Sequence, residues 1–370
     1  MKLYTPMKLQ VIDSENPLWI ETLQQLRHDF YHLPAYLALE AQRTQSIAEA
    51  VLIQDDGNLL FLPYLLRRCG GLFPDDVQAS ELFDVVSPYG YPGLLYNPTK
   101  SGNTEFINTA FIRAAINQLI DNWIDRGICN AFIRLHPILN HHLEKIYSSP
   151  ACQIHSETIA VDLRLPDAEI WHQTRPEHRN KINKIKRAGF TAKLVSWQEY
   201  KNDFIEIYKE TMDRVGASPC YYFSSDYFSQ LAEALQEQLH LGIVEFDHQI
   251  ACAGLFTECG GIVQYHLGGT RQQFLHRSPT TLLFDHVRYW AKARGNQSFH
   301  LGGGVGGAND SLHHFKAGFS QKRYQFSLIR LILNETNYRH LVTLRAKQIN
   351  SAPEQLLQTQ FFPAYRSPSA

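Results

Sequence analysis

The chain has 370 residues, which at roughly 150 per domain means two domains and a remainder. Apolar residues make up 44% and charged residues 19%, the balance of a folded globular protein rather than a disordered one. Lys+Arg number 35 against 36 Asp+Glu, so the net charge of −1 supplies no long-range field toward nucleic acid or an anionic membrane, and partners must be bound locally.

No apolar run approaches the roughly 18 residues of a membrane span. Residues 1–10 show neither a basic n-region nor an h-region, so a cytoplasmic address is expected. Cys69, Cys129, Cys152, Cys220, Cys252 and Cys259 are scattered and read as reduced, mostly core thiols.

Two stretches share one plan. Glu49–Ile53 and Leu59–Leu66 flank the turn-forming run Gln54-Asp55-Asp56-Gly57-Asn58, which predicts a β-hairpin. Phe106 to Asp125 carries apolar residues at helical spacing, with Gly127 placed to end the helix, and a strand follows at Asn130–Leu135. The strand Glu157–Leu163 is read as the last of the first unit. In the second stretch Leu241–Phe246 and Ile250–Phe256 form a hairpin and Gly261–Leu267 a third strand. A helix capped by Ser278 opens at Pro279, Arg294-Gly295 ends it, and the strand Ser298–Leu301 comes next. This order gives expected domains of 1–165 and 166–335, with 336–370 a C-terminal helix near Tyr338–Ile349 and a tail. The tail's Phe361, Phe362 and Tyr365 are expected to pack back on the body.

Between the units, Arg175, Arg179, Lys181, Lys184, Lys186 and Arg187 lie on a short amphipathic helix started by Pro176 and ended by Gly189. Such a run is either a solvated face or a local phosphate site, since arginine presents a fork matched to phosphate oxygens. Gly302–Gly307 contains a formal G-x-G-x-x-G, but no helix opens directly after it and Arg323 to Asn334 holds no acid. A loop whose glycines let another backbone approach is expected instead. P-loop, nucleophile-elbow and zincin signatures are absent. His136, His141, His142, His313 and His314 lack Cys or carboxylate partners at ligand spacing, and no metal is expected. After the glycines, Asp310 can cap a short helix ended by Gly318 that would hold Lys316 on a rigid turn.

The run Phe315-Lys316-x-Gly-Phe319, preceded by His300-Leu301-Gly302-Gly303-Gly304, resembles the C-terminal signature of the Fem (FemAB-like) peptidyltransferases of the GNAT acyltransferase superfamily. Asp84-Val85-Val86-Ser87-Pro88-Tyr89-Gly90, Phe132-Ile133-Arg134-Leu135-His136-Pro137, His178-Arg179-Asn180-Lys181, Thr211-Met212-Asp213-Arg214 and Tyr265-His266-Leu267-Gly268-Gly269 agree with it. The resemblance implies an α/β fold of two tandem GNAT-like domains with the C-terminal helix packed back. It implies aminoacyl transfer, in the best-known members from charged tRNA, to an amine of a phosphate-containing, peptidoglycan-type precursor.

Carried over residue by residue, the resemblance makes Lys316 the group that stabilises charge on the transferred carbonyl, with Phe315 beside the acceptor. Arg179 and Arg214 then meet precursor phosphates, and Tyr89, Arg134, Tyr265 and His266 bind substrate. Asp84 and Asp310 are the candidate general bases, a water chain being the alternative. No tightly bound cofactor is implied. A coiled-coil arm does not fit between Lys186 and Leu241, and the family's Thr-x-Arg spacing is replaced here by Thr211-x-x-Arg214. Two other readings are an acyl-CoA-dependent N-acyltransferase acting on an amino sugar or other envelope or polysaccharide intermediate, and a non-catalytic module. Against the former, Arg271–Ser278, where a GNAT enzyme grips the diphosphate of coenzyme A, contains no glycine.

Overall fold

In the computed structural model, which describes residues 7–101, 104–141 and 143–368, the first hairpin pairs Ile47–Asp55 with Asn58–Arg68 across a turn at Asp56 and Gly57. His142 and the first six residues lie outside the described set. The chain divides into two units, Met1–His155 with Gln325–Ala370, and Ser156–Tyr324.

In the first unit the strands run Lys8–Asp13, Ile47–Asp55, Asn58–Arg68, Phe83–Val86, Ile128–Arg134, Arg323–Ile332. All neighbours are antiparallel except Phe83–Val86 and Ile128–Arg134, which are parallel. The helix Thr109–Asp125 makes the crossover that a parallel pair requires. Asn108 caps it, starting it later than the apolar period suggested, and its buried Phe111, Ile112, Ala115, Leu119 and Trp123 join the core beneath the sheet.

In the second unit the order is Thr191–Val195, Leu239–Phe246, Gln249–Cys259, Ile262–Thr270, Ser298–Gly302, Cys152–Asp162. Its single parallel pair is Ile262–Thr270 with Ser298–Gly302, and the crossover helix is Pro279–Ala293. Ser278 does not cap that helix through its side chain; it takes a left-handed conformation instead. The two units thus repeat one sheet plan.

The sixth strand of each sheet departs from chain order. The strand read above as closing the first unit pairs in the second, with Ile159, Ala160, Val161 and Asp162 opposite Gly302, His300, Phe299 and Ser298. The strand that follows the second unit's glycine loop returns to the first, Leu328–Ile332 lying antiparallel to Asn130–Arg134. The division therefore falls at His155/Ser156 and Tyr324/Gln325 rather than at 165 and 335, and 336–370 belongs to the first unit. Local patterning marks a strand but not which neighbour completes its ladder.

The C-terminal helix Glu335–Gln348 packs Tyr338, Leu341, Val342 and Ala346 with Cys69, Phe73 and Cys129. In the tail Tyr365 is fully buried and Phe362 partly so, whereas Phe361 is 47% exposed, against expectation. Tyr365 is drawn in by polar partners, accepting from Asn130 and donating to Asp84, and Phe361 has no such anchor. Five cysteines are buried and Cys220 is exposed. No helix among the described residues is long and apolar enough to cross a membrane.

Candidate active site

The parallel ladder of the second unit is short. It pairs Ile262, Val263 and Gln264 with Ser298, Phe299 and His300 and then ends. Both strands are irregular there. Opposite Leu255 and Phe256 stand Leu267 and Tyr265, leaving His266 as an extra, bulged residue, and the Ser298–Gly302 ladder to Cys152–Asp162 shifts between His300 and Gly302. Below the break, His300 is fully buried: its Nδ1 donates to Gln264 Oε1 at 2.5 Å, so its Nε2 accepts from Thr158 Oγ1 at 2.8 Å. The strands are held together up to this bond and released beyond it.

Lys316 lies at this opening. Asp310 caps the helix Ser311–Ala317, accepting from His313 N at 2.8 Å and, through its other oxygen, from Val305 N at 3.0 Å. Cap and glycine loop are thereby one structure; a Cβ on Gly304 would come within 2.0 Å of the Ala308 carbonyl, the close backbone approach read from the sequence. The Lys316 side chain is buried, its Nζ donates to the Gly303 carbonyl at 2.7 Å, and it lies 5.7 Å from the centre of the Tyr265 ring. Burial pushes the ammonium down to about 8, against the attraction of Asp310. It still carries its proton at neutral pH, in a place where water screens it little.

The basic helix Pro176–Arg187 is fastened to this turn. Arg175 N donates to the Gly318 carbonyl at 2.8 Å, and its guanidinium reaches the His314 ring at 2.9 Å and the His314 carbonyl at 3.3 Å. His178, buried between Phe315 and Phe319, donates from Nε2 to the Phe315 carbonyl at 2.9 Å. Phe315 is partly buried, packed against His178, Phe284 and Phe319. Arg179 has no hydrogen-bond or ion-pair partner for its guanidinium among the described residues.

Residues 172–317 match the acetyltransferase (GNAT) domain. No curated protein matches the chain in sequence. Among solved structures, FemX superposes with a TM-score of 0.66 at 13% identity, covering 90% of this chain and 99% of its own. The C-terminal (DUF2156) domain of a candidate lysylphosphatidylglycerol synthetase from Agrobacterium fabrum gives 0.51 at 13%, covering 85% and 90%. A conserved protein of unknown function from Bacteroides thetaiotaomicron gives 0.53 at 10%, covering 88% and 99%. The fold is thus the mixed α/β fold of GNAT-like proteins, and the second unit carries a GNAT-type acyltransferase domain. The parted parallel strands and the buried lysine lie within or beside the matched residues.

Several expected site residues have other duties. Asp84 is fully buried in the first unit, where Arg67 Nε at 2.7 Å and Arg366 Nε at 2.6 Å, with the Tyr365 hydroxyl, occupy its oxygens. Burial pushes this carboxyl up, but the two guanidiniums and the hydroxyl outweigh it and hold it below the ordinary range. It is a structural anion rather than a base. Asp310 is engaged as a cap: desolvation pushes its carboxyl up, but the amides of His313 and Val305 outweigh it and hold it below the ordinary range. Arg214 is directed inward, to the Thr270 carbonyl at 3.0 Å and Thr211 Oγ1 at 3.3 Å, while Thr211 accepts from Thr270 N. It braces the end of the helix Trp197–Val215 on the strand end.

Tyr89 and Arg134 belong to the first unit. There the place that corresponds to the parted strands is closed by the chain itself: Ser87 N donates to the Phe132 carbonyl at 3.0 Å and Gly93 N to the Arg134 carbonyl at 2.9 Å. The Arg134 guanidinium holds the Ser87 carbonyl at 3.1 Å, and Tyr89 accepts at its carbonyl from Tyr36. Tyr265 and His266 are at the opening, His266 pushed down to about 3 by burial and hence neutral. His136, one of the histidines considered for a metal, donates from Nε2 to Asp29 and accepts two amides at Nδ1. Among the described residues no three His, Cys, Asp or Glu side chains gather as a metal site.

The residues given no role from sequence are His178, Gln264 and His300. His178 and His300 stood inside quoted motifs; their bonds to Phe315 and Gln264 span 137 and 36 positions and leave no local signal.

Proposed function

We propose that the protein is a Fem-like aminoacyltransferase. It moves an aminoacyl group from charged tRNA to an amine of a peptidoglycan-type envelope precursor, and acts in the cytoplasm. The observation that carries this reading is Lys316, a buried ammonium with one carbonyl partner, placed where two parallel strands part. The neutral acceptor amine attacks the ester carbonyl and the carbonyl oxygen becomes an oxyanion. A fixed cationic donor in so dry a place contributes about 3 to 4 kcal/mol to that step. As the intermediate collapses, the bond from carbonyl carbon to ribose oxygen breaks, and the proton lost by the amine passes to the leaving oxygen. With Asp84 and Asp310 both engaged, a water chain carries that proton. Arg179, whose guanidinium has no hydrogen-bond or ion-pair partner among the described residues, suits a precursor phosphate.

The likenesses to FemX and to a candidate lysylphosphatidylglycerol synthetase support an aminoacyl donor. The GNAT match supports a second reading, in which acyl-CoA acylates an amino sugar. The strand-to-helix connection speaks against it. Its Gln272 amide is taken by the Glu210 carboxylate at 2.5 Å, and Arg271 pairs with Glu206 at 3.2 Å, so a diphosphate would meet carboxylates where it needs free amides. Incubating the protein with an amine-bearing nucleotide precursor and either charged tRNA or acyl-CoA, with products followed by mass, tests the choice. Product from acyl-CoA and none from charged tRNA would overturn the first reading.

A further inference from the structure

We infer that His178 is a positioning residue for Lys316, acting through the carbonyl of Phe315. Arg175 and the helix after it are bonded to the Lys316 turn at Gly318, His314 and Phe315, and the Phe315 carbonyl is the acceptor adjacent to Lys316 in the chain. A carbonyl accepts, so His178 Nε2 must carry the proton, and the Nδ1 of the neutral ring is a lone pair, buried with no hydrogen-bond partner among the described residues. An orphaned polar atom is an unfavourable feature, retained here by the bond at the other nitrogen. The ring lies 4.8 Å from Phe319 and 5.4 Å from Phe315.

Gly318 makes room for the ring. Its φ of −71° is open to any residue, so backbone conformation does not require glycine; a Cβ there would come within 2.4 Å of the imidazole. The charged groups around His178 are Arg175, Glu177 and Lys181; burial lowers its affinity for a second proton, the bond to the Phe315 carbonyl offsets part of this, and Lys181 and Arg175 lower it further. Lys316 in turn faces Asp310, the Gly303 carbonyl and the Tyr265 ring. Freed from His178, the Phe315–Gly318 turn would let the ammonium leave the Gly303 carbonyl for water.

The effect on rate rests on the acyl-transfer reading of Lys316, while the effect on the lysine itself rests on geometry alone. The test is competitive labelling of the whole protein with trace acetic anhydride across pH, read at the Lys316 peptide by mass. In the wild type Lys316 should titrate near pH 8. His178→Phe keeps the ring and removes the donor, and should move this toward the ordinary lysine value of about 10.4. His178→Gln, whose amide nitrogen can take the Nε2 place, should restore it. Gly318→Ala should reproduce the phenylalanine variant by displacing the ring. In turnover, His178→Phe should lower kcat about tenfold with KM unchanged, a factor of ten being about 1.4 kcal/mol.

Unshifted labelling in folded His178→Phe or folded Gly318→Ala overturns the inference. So does a wild-type nitrogen NMR spectrum that places the His178 proton on Nδ1, a measurement needing no variant. If Lys316→Met keeps the wild-type rate while the labelling shift is seen, the functional reading fails and the positioning role stands.

Discussion

Replacing Lys316 by Met keeps the aliphatic stem in its buried place and removes only the ammonium. The fall of its pKa from 10.5 to about 8 means that the folded chain holds this proton less tightly than the unfolded chain, a cost of about 3 kcal/mol at neutral pH. The variant is relieved of that cost and leaves the Gly303 carbonyl unpaired, which takes back about 1 to 3 kcal/mol. Lys316→Met should therefore be as stable as the wild type at pH 7, or slightly more so. Its kcat should fall by about 10² to 10³, because the lost interaction is made to the transition state. Because unfolding takes up a proton at Lys316 between about pH 8 and 10.5, wild-type stability should gain on that of the Met variant across that window, the groups the two proteins share cancelling in the difference. Wild-type kcat should decline above pH 8 as the ammonium loses its proton. Urea unfolding at several pH values and single-turnover transfer on both proteins measure all of this. A wild-type rate in Lys316→Met would refute the mechanism.

Arg179→Ala should weaken binding of a nucleotide-linked precursor about tenfold or more, the worth of one charge-assisted phosphate contact, with an unchanged melting temperature; calorimetric titration at two salt concentrations measures it. Asp84→Asn should cost about 3 to 5 kcal/mol in urea unfolding, because it leaves Arg67 and Arg366 facing a neutral amide in a buried site. Since Asp84 is held below its ordinary pKa of 3.8, its stabilisation is present above pH 4 and lost as pH falls through the folded value, so the gap between wild type and variant should close in acid. Arg214→Ala should lower stability while leaving affinity for the precursor intact, as expected of a brace on the Thr270 carbonyl.

The local elements were legible in the chain because each is written in adjacent residues. Turn-forming residues at Asp56-Gly57 announce the hairpin, an apolar period from Phe111 to Trp123 announces the crossover helix, and Asp310 with Gly318 brackets the short helix of Lys316. The duplicated plan was legible too, since two similar strings of such elements need only be compared. Strand exchange was not: Ile159–Asp162 and Leu328–Ile332 are short apolar-rich runs that read alike whichever neighbour they complete, and only the assembled ladders choose. The same limit separates the site residues. Lys316 was marked by its own cap and its neighbouring glycines. Asp84, Arg134 and Arg214 are carboxylates and guanidiniums whose chemistry reads alike in a site or in a frame, and it took partners as remote in sequence as Arg366 to decide that Asp84 holds the structure together. Charge is a property of the residue, whereas what that charge faces is a property of the tertiary structure, because the energy of an ion is set by the groups and the water that surround it.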